Sequence, residues 1–302
     1  MAATSTANAT EGTVEFRGYH TWYQIVGDFP APSGKLPVVI LHGGPGFPHD
    51  YLQDLTGLAD RGRPVVFYDQ LGCGRSDHPD DPSLWVIDTF VDELAALRDA
   101  LGLERVHLLG HSWGGWLALE YALGQPPGLA GLVLASTCAS LRAFAAETRR
   151  LKQQLPADVQ QIIDRHEADG TTDDDAYMEA AMAYYTQWVC RREPFPDHVM
   201  ASFMNSSEAV YGTMQGPEWN VTGNLKDWDV TSRLGELYLP VLVTSGRYDE
   251  MTPTLIQPLV QGIRGAESVV FENSAHLAMV EEPGRFLEVI ESFLTRAEGS
   301  RT

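Results

Sequence analysis

Gly110-His111-Ser112-Trp113-Gly114-Gly115 is the stretch from which the rest of the chain can be read. It follows Arg105-Val106-His107-Leu108-Leu109, an apolar run with branched residues that predicts a short buried strand. It precedes Trp116 to Leu123, whose small and apolar residues predict a packed helix. Strand, G-x-S-x-G, helix is the pattern of a nucleophile elbow. A serine on so tight a turn has strained dihedrals, and side chains at Gly110 and Gly114 would collide with the neighbouring strand and helix. The turn also puts Ser112 at a helix N-terminus, where free N–H groups favour a developing negative charge.

Working outward, apolar strand runs alternate with helical periodicity. Two strand-like segments around Gly18 predict an N-terminal hairpin within Thr13–Val26, preceded by about a dozen Ala-, Thr- and Ser-rich residues expected to fray. Leu36–Leu41 predicts a buried strand ending at His42-Gly43-Gly44-Pro45-Gly46. Tyr51, Leu52, Leu55 and Leu58 then mark one face of a helix. Pro64–Tyr68 is the next strand, Asp88 opens a capped helix to about Leu101, and Leu129–Ala135 is a further strand. Such alternation implies an α/β protein with a parallel sheet covered on both faces. The pattern breaks near Cys138. Residues 138–234 are helical in periodicity and contain no buried-strand run, so they are expected to form an inserted helical cap, with residues 1–137 and 235–302 as the core. Strands at Tyr238–Ser245 and Ser268–Phe271 resume the core, with helices over about 253–263 and 283–296.

The composition, 44% hydrophobic and 21% charged over 302 residues, is that of a globular chain. A net charge of -20 disfavours nucleic acid and anionic membrane surfaces, and mildly favours neutral or cationic substrates. Cys73, Cys138 and Cys190 have neither a disulfide framework nor metal-ligand spacing, and Cys73 reads as a packed thiol. Met1–Gly12 lacks a basic region and an apolar run, so no signal peptide and a cytoplasmic location are expected. No apolar stretch approaches transmembrane length.

In open α/β sheets ligands lie at the carboxyl ends of the strands. A serine alcohol needs a base, and the base needs an orienting carboxylate, in the chain order Ser, Asp or Glu, His. After Ser112 the histidines are His166, His198 and His276, and His276 alone follows the last core strand. Asp249 lies just beyond the preceding strand, in the acid position. The oxyanion hole is assigned to the N–H groups of Trp113 and Gly44, with His42 and Pro45 shaping the loop and Gly44–Pro45 a candidate cis bond.

"HGGPG" at 42–46, "FYDQLGCGRSD" at 67–77, "GHSWGG" at 110–115, "TGNLKDWDV" at 222–230 and "GRYDEMTP" at 246–253 together resemble the proline iminopeptidase family of α/β hydrolases. The likeness is nearest to broad-specificity members such as the tricorn-interacting aminopeptidase. It implies an α/β-hydrolase fold and cleavage of an amide after one N-terminal residue of a small peptide or aminoacyl amide. It also implies acidic residues that bind the free amino group, matched by Glu250 and by Glu218 in "GPEWNVTG". Relatives have a spacing like "GPNEF", one residue longer than here. Leu71 stands where strict prolyl enzymes commonly carry Arg, which argues against strict proline specificity. No metal or organic cofactor is implied. Three rivals remain: an amidase removing an aminoacyl group from a biosynthetic intermediate, a carboxylesterase, and a non-catalytic ligand-binding receptor. Epoxide hydrolase and dehalogenase are disfavoured because they use an aspartate where Ser112 stands.

Overall fold

The computed structural model describes residues 7–299. Eight strands form one sheet: β1 Ala9–Phe16, β2 Tyr19–Val26, β3 Val38–Leu41, β4 Val65–Tyr68, β5 Val106–His111, β6 Leu129–Ala135, β7 Val241–Gly246 and β8 Glu267–Phe271. Their spatial order is β1-β2-β4-β3-β5-β6-β7-β8. β1 and β2 make an antiparallel hairpin, β2 runs antiparallel to β4, and the other pairings are parallel. The hairpin starts earlier than the composition implied. Asn8 C=O accepts from Gly27 N–H at 2.7 Å, and pairing begins at Ala9 with Val26, so the expected fraying does not extend to residue 12. The remainder of that expectation, residues 1–6, lies outside the described residues.

The helices are α1 Ile87–Ala100, α2 Trp113–Leu123, α3 Leu141–Lys152, α4 Ala157–Asp169, α5 Asp175–Trp188, α6 Asp197–Met204, α7 Glu208–Met214, α8 Gln257–Gly262, α9 Ala278–Glu281 and α10 Pro283–Gly299. The helix expected around Tyr51 spans His49–Arg61 with Tyr51, Leu52, Leu55 and Leu58 turned inward together, and it winds as a 3-10 helix. One local expectation needs correction. The cap of α1 is Val86, in extended conformation, and Asp88 sits in the first turn without a capping hydrogen bond. There it favours the helix through its charge at the positive end of the dipole.

β3, β4, β5 and β7 are buried along their whole length, which explains why they read as unbroken apolar runs rather than alternating ones. One core lies on each face, around Leu94, Trp116 and Leu134 on one side and Leu52, Phe67 and Phe286 on the other. Between β6 and β7 the chain supplies five helices, α3 to α7, and no strand of the sheet. The strand order reverses between β3 and β5, so the loops after those two strands splay apart into a crevice. Gly43 and Gly44 follow one of them and Ser112 the other. All three cysteines are free and buried. Among the described residues no helix is long and apolar enough to cross a membrane.

Candidate active site

Ser112 has φ 56° and ψ -123°, a left-handed conformation that a non-glycine residue adopts only when its surroundings enforce it. The enforcement is steric and local. A Cβ at Gly110 would lie 2.2 Å from Gly114 O, and one at Gly114 would lie 2.0 Å from Leu41 O. The elbow is thus wedged between its own helix and the end of β3, as its glycines predicted. Ser112 N–H donates to Ala135 O at 3.0 Å, so β6 fixes it from the other side.

Across the crevice, His276 Nδ1 lies 2.8 Å from Asp249 Oδ1. Asp249 is fully buried and also accepts from the N–H groups of Met251 at 2.8 Å and Gly246 at 3.2 Å. These bonds hold it in the tight turn after β7. A Cβ at Gly246 would come 2.1 Å from Ala275 O, which places the acid loop directly against the histidine loop. The His276 ring packs against the ring of His111, the residue before Ser112, with centroids 4.6 Å apart. Serine, acid and histidine therefore arrive from three separate strand ends at one place.

The N–H groups of Gly44 and Trp113 make no hydrogen bond among the described residues, whereas their neighbours do. Gly43 N–H donates to Tyr51 Oη at 2.7 Å and Gly115 N–H to Ser112 O at 2.8 Å. Gly44 has φ 111° and precedes a cis Gly44–Pro45 bond, the isomer expected there. His42 shapes the loop from below, as its sequence position suggested. Burial pulls its imidazole down to about 4, so it is neutral. Its Nε2 accepts from Gln70 N–H at 2.8 Å, and Gln70 Nε2 donates to His42 O at 3.2 Å. Gln70 Oε1 in turn accepts from the Trp113 indole at 2.8 Å, so one buried amide joins the Trp113 side chain to His42 at the start of the glycine loop.

Glu250 is buried beside the histidine, its Oε1 3.9 Å from His276 Nε2. Its Oε2 is buried with no hydrogen bond, the Tyr184 hydroxyl lying alongside without reaching bonding geometry. Burial, opposed by His276, raises this carboxyl, and the charges of Glu218 and Asp249 raise it further. Glu218 reaches the same region from the loop after α7. Its carboxylate accepts from the Tyr211 hydroxyl, which itself accepts from Gln215 Nε2 at 2.7 Å. Burial raises Glu218 as well. Burial also works against a charge on His276, but Asp249, Glu250 and Glu218 outweigh it and hold the imidazole above its ordinary range. The structure brings Asp249, Glu250 and Glu218 around His276; Ser112 is next to His111, whose ring packs on His276, and Gly43 approaches the Ser112 Cβ from the glycine loop. Among the described residues no group of three or more His, Cys, Asp or Glu side chains could hold a metal ion.

The helical segment meets this site through its backbone. Trp188 O, at the end of α5, accepts from the N–H groups of both Glu250 and His276 at 3.2 Å, and Val189 O accepts from Leu277 at 3.1 Å. Glu281 spans the same seam, taking Arg191 N–H at 2.8 Å and Ala275 N–H at 2.7 Å on its two oxygens. Within the helical segment, Phe203 and Tyr211 pack on Phe47 beside the glycine loop. Trp219 is buried among Tyr177, Tyr184 and Tyr185. Met204 is 78% exposed and Met200 37%, so both face solvent; helical periodicity alone had not told inner from outer face. Tyr51, Gln70 and Glu281 carried no recognisable signal beyond an apolar helix face, a motif position and an ordinary surface glutamate.

A mostly parallel sheet with a strained serine between β5 and a helix, and a His–Asp pair after β8 and β7, defines an α/β hydrolase of the serine class. The α/β hydrolase fold family model matches residues 37–283. The proline iminopeptidase of Heyndrickxia coagulans is 41% identical over 289 residues, covering 94% of this chain and 98% of that protein. Among solved structures, VinJ superposes with a TM-score of 0.92 at 43% identity, covering 95% of this chain and 99% of its own. The proline iminopeptidase of Mycobacterium smegmatis gives 0.88 at 40% identity, covering 96% and 99%. The chain belongs to the proline iminopeptidase family of α/β hydrolases.

Proposed function

We propose that this chain is a serine aminopeptidase that releases an N-terminal amino acid, proline among them, from a peptide or amide through an acyl-enzyme. Ser112 Oγ attacks the carbonyl carbon of the first residue while His276 takes its proton and then delivers it to the departing amine. Asp249 keeps the proton of the ring on Nδ1 and offsets the charge of the imidazolium. The N–H groups of Gly44 and Trp113 receive the oxyanion. Water, activated by the same histidine, then cleaves the acyl-enzyme and frees the amino acid. Residues 138–234 act as a cap over Ser112, contributing Glu218 to the substrate's amino end.

The observation that carries this reading is Glu250. It is a buried carboxyl group, raised by burial to about 8, with His276 at 3.9 Å as its basic neighbour, no Lys or Arg partner among the described residues and one oxygen unbonded. A carboxylate in that state is costly unless a cation joins it. The ammonium of a free N-terminus is such a cation, and it would place its own carbonyl within reach of the neighbouring triad. The names of the curated relatives support the same substrate class. The test is release of aniline from Pro-, Ala-, Leu- and Phe-anilides, set against N-acetylated controls and a simple acetate ester. The reading requires cleavage of free-amine anilides and rejection of their acetylated forms. Equal cleavage of both, or of the ester alone, would overturn it.

A further inference from the structure

A second set of polar contacts beside the site has a direction that chemistry fixes. Gly43 N–H can only donate, and it meets Tyr51 Oη at 2.7 Å. The phenol oxygen therefore accepts from it and aims its own proton at His111 Nδ1, 2.8 Å away. That nitrogen must then be the bare one, which leaves the ring proton on Nε2. His111 Nε2 lies 3.0 Å from His276 O, a carbonyl that can only accept. Each of these groups is satisfied by this one arrangement of protons and by no other. Tyr51 and His111 are buried, and burial together with the charge of His276 keeps His111 neutral, as the arrangement requires. Burial likewise keeps the phenol protonated.

We infer that Tyr51 and His111 are positioning residues that set the oxyanion loop at a fixed place relative to the nucleophile and the base. The inference rests on the acyl-transfer reading above. The chain Gly43 to Tyr51 to His111 to His276 crosses all three loops on which the chemistry depends. It grips the glycine next to Gly44, the residue next to Ser112, and the backbone of the base itself. Close packing reinforces it. A Cβ at Gly43 would lie 2.9 Å from Tyr51 Oη and 3.2 Å from Ser112 Cβ, so the loop is held at the nearest approach that a glycine allows. Catalysis by a preorganised donor depends on such placement, because a displacement of about 1 Å can cost on the order of a hundredfold in rate.

The test is Tyr51→Phe, which removes one oxygen atom and breaks the chain at its centre. On a proline anilide, kcat should fall by roughly tenfold to a hundredfold with KM changed by less than about twofold. Boropyrrolidine, the boronic acid analogue of proline, forms a tetrahedral adduct that uses the oxyanion donors, and its inhibition constant should weaken by a similar factor. Pyrrolidine, which offers only the amine, should bind as before. His111→Phe removes both ring nitrogens, breaks the chain at the next link and should give the same split; adding Tyr51→Phe to it should cost little more. If Tyr51→Phe fails to fold, His111→Phe carries the measurement alone. Unchanged kcat and boronate affinity would overturn the inference, as would an equal weakening of pyrrolidine, which signals general disorder of the site. A wild-type enzyme that cleaves no anilide would instead overturn the aminopeptidase reading. The relay would then be judged on the acetate ester, where the same fall in kcat is required.

Discussion

At the scale of single residues, the site combines one nucleophile with an excess of negative charge. Ser112→Ala should fold normally and lose turnover on the order of 10⁶, as removal of a triad serine does; an active variant would refute the assignment. Glu250 is more informative because it lies 3.9 Å from His276 and is the carboxyl proposed to receive the substrate ammonium. Glu250→Gln keeps the shape and removes the charge. The missing charge-assisted bond to the ammonium should cost about 1.5–3 kcal/mol, or roughly tenfold to over a hundredfold in kcat/KM for a free-amine anilide. A neutral acetate ester should be spared. The same substitution withdraws one of the carboxylates that raise His276. A base with weaker proton affinity becomes neutral at lower pH, so the rise of kcat/KM with pH for the ester should move to lower pH. A pH–rate profile on both enzymes checks this, and superimposable profiles would mean that Glu250 does not act on His276.

At the scale of elements, the helical insertion is fastened where it matters most. At the end of α5 the Trp188 carbonyl accepts from the N–H groups of Glu250 and His276, and Glu281 in α9 accepts from the N–H groups of Arg191 and Ala275. Burial raises the Glu281 carboxyl, against the pull of those two donors. Glu281→Gln leaves one of them facing an amide NH2 group that cannot accept. The loss of a part-buried charge-assisted bond, about 1.5 kcal/mol, should lower Tm by a few degrees, at roughly 2–4 °C per kcal/mol for a large domain. Turnover of anilide and ester should fall together, because the His276 loop serves both. A lowered Tm with unaltered turnover of both substrates would make Glu281 a purely structural clamp. The chain between β6 and β7 is thus held at this seam by the Trp188 and Val189 carbonyls and the Arg191 N–H.

At the scale of the molecule, one buried network ties the last helix to the sheet. Arg63 is fully buried; its Nε meets Glu291 at 2.7 Å, and its Nη1 meets Glu298 at 2.6 Å and Leu36 O at 2.7 Å. Burial opposes ionisation of Glu298, but His107, Arg63 and the Leu36 N–H outweigh it and hold the carboxyl down to about 2. A carboxyl depressed below its unfolded value stabilises the fold above that value, and the stabilisation is lost as pH falls from about 4.5 towards 2. Arg63→Met removes one partner of a buried ion pair and should cost about 3 kcal/mol near neutral pH. The gap in Tm between wild type and variant should then narrow as pH falls through that window. A gap independent of pH would show that Arg63 acts by packing alone.

The sequence by itself determined the succession of strands along the chain, the strained serine turn and the candidates Asp249 and His276 at two later strand ends. These depend on short-range sterics: glycines flanking Ser112, apolar runs filling a sheet buried on both faces, and polar residues placed at strand ends. Glu250 was legible only through the family resemblance, which matches it as the residue after Asp249 in "GRYDEMTP". Tertiary structure alone decided the rest. Met200 and Met204 share a helical spacing with buried neighbours, and only docking of α6 turned them to solvent. His49–Arg61 carries an α-like apolar face and winds as a 3-10 helix once packed. Tyr51, Gln70 and Glu281 look ordinary in the chain, because a hydrogen bond across 60, 43 or 90 residues leaves no local pattern in sequence. Periodicity reports which side of an element is apolar, whereas the partner of a buried polar group is settled only when distant strand ends are brought together.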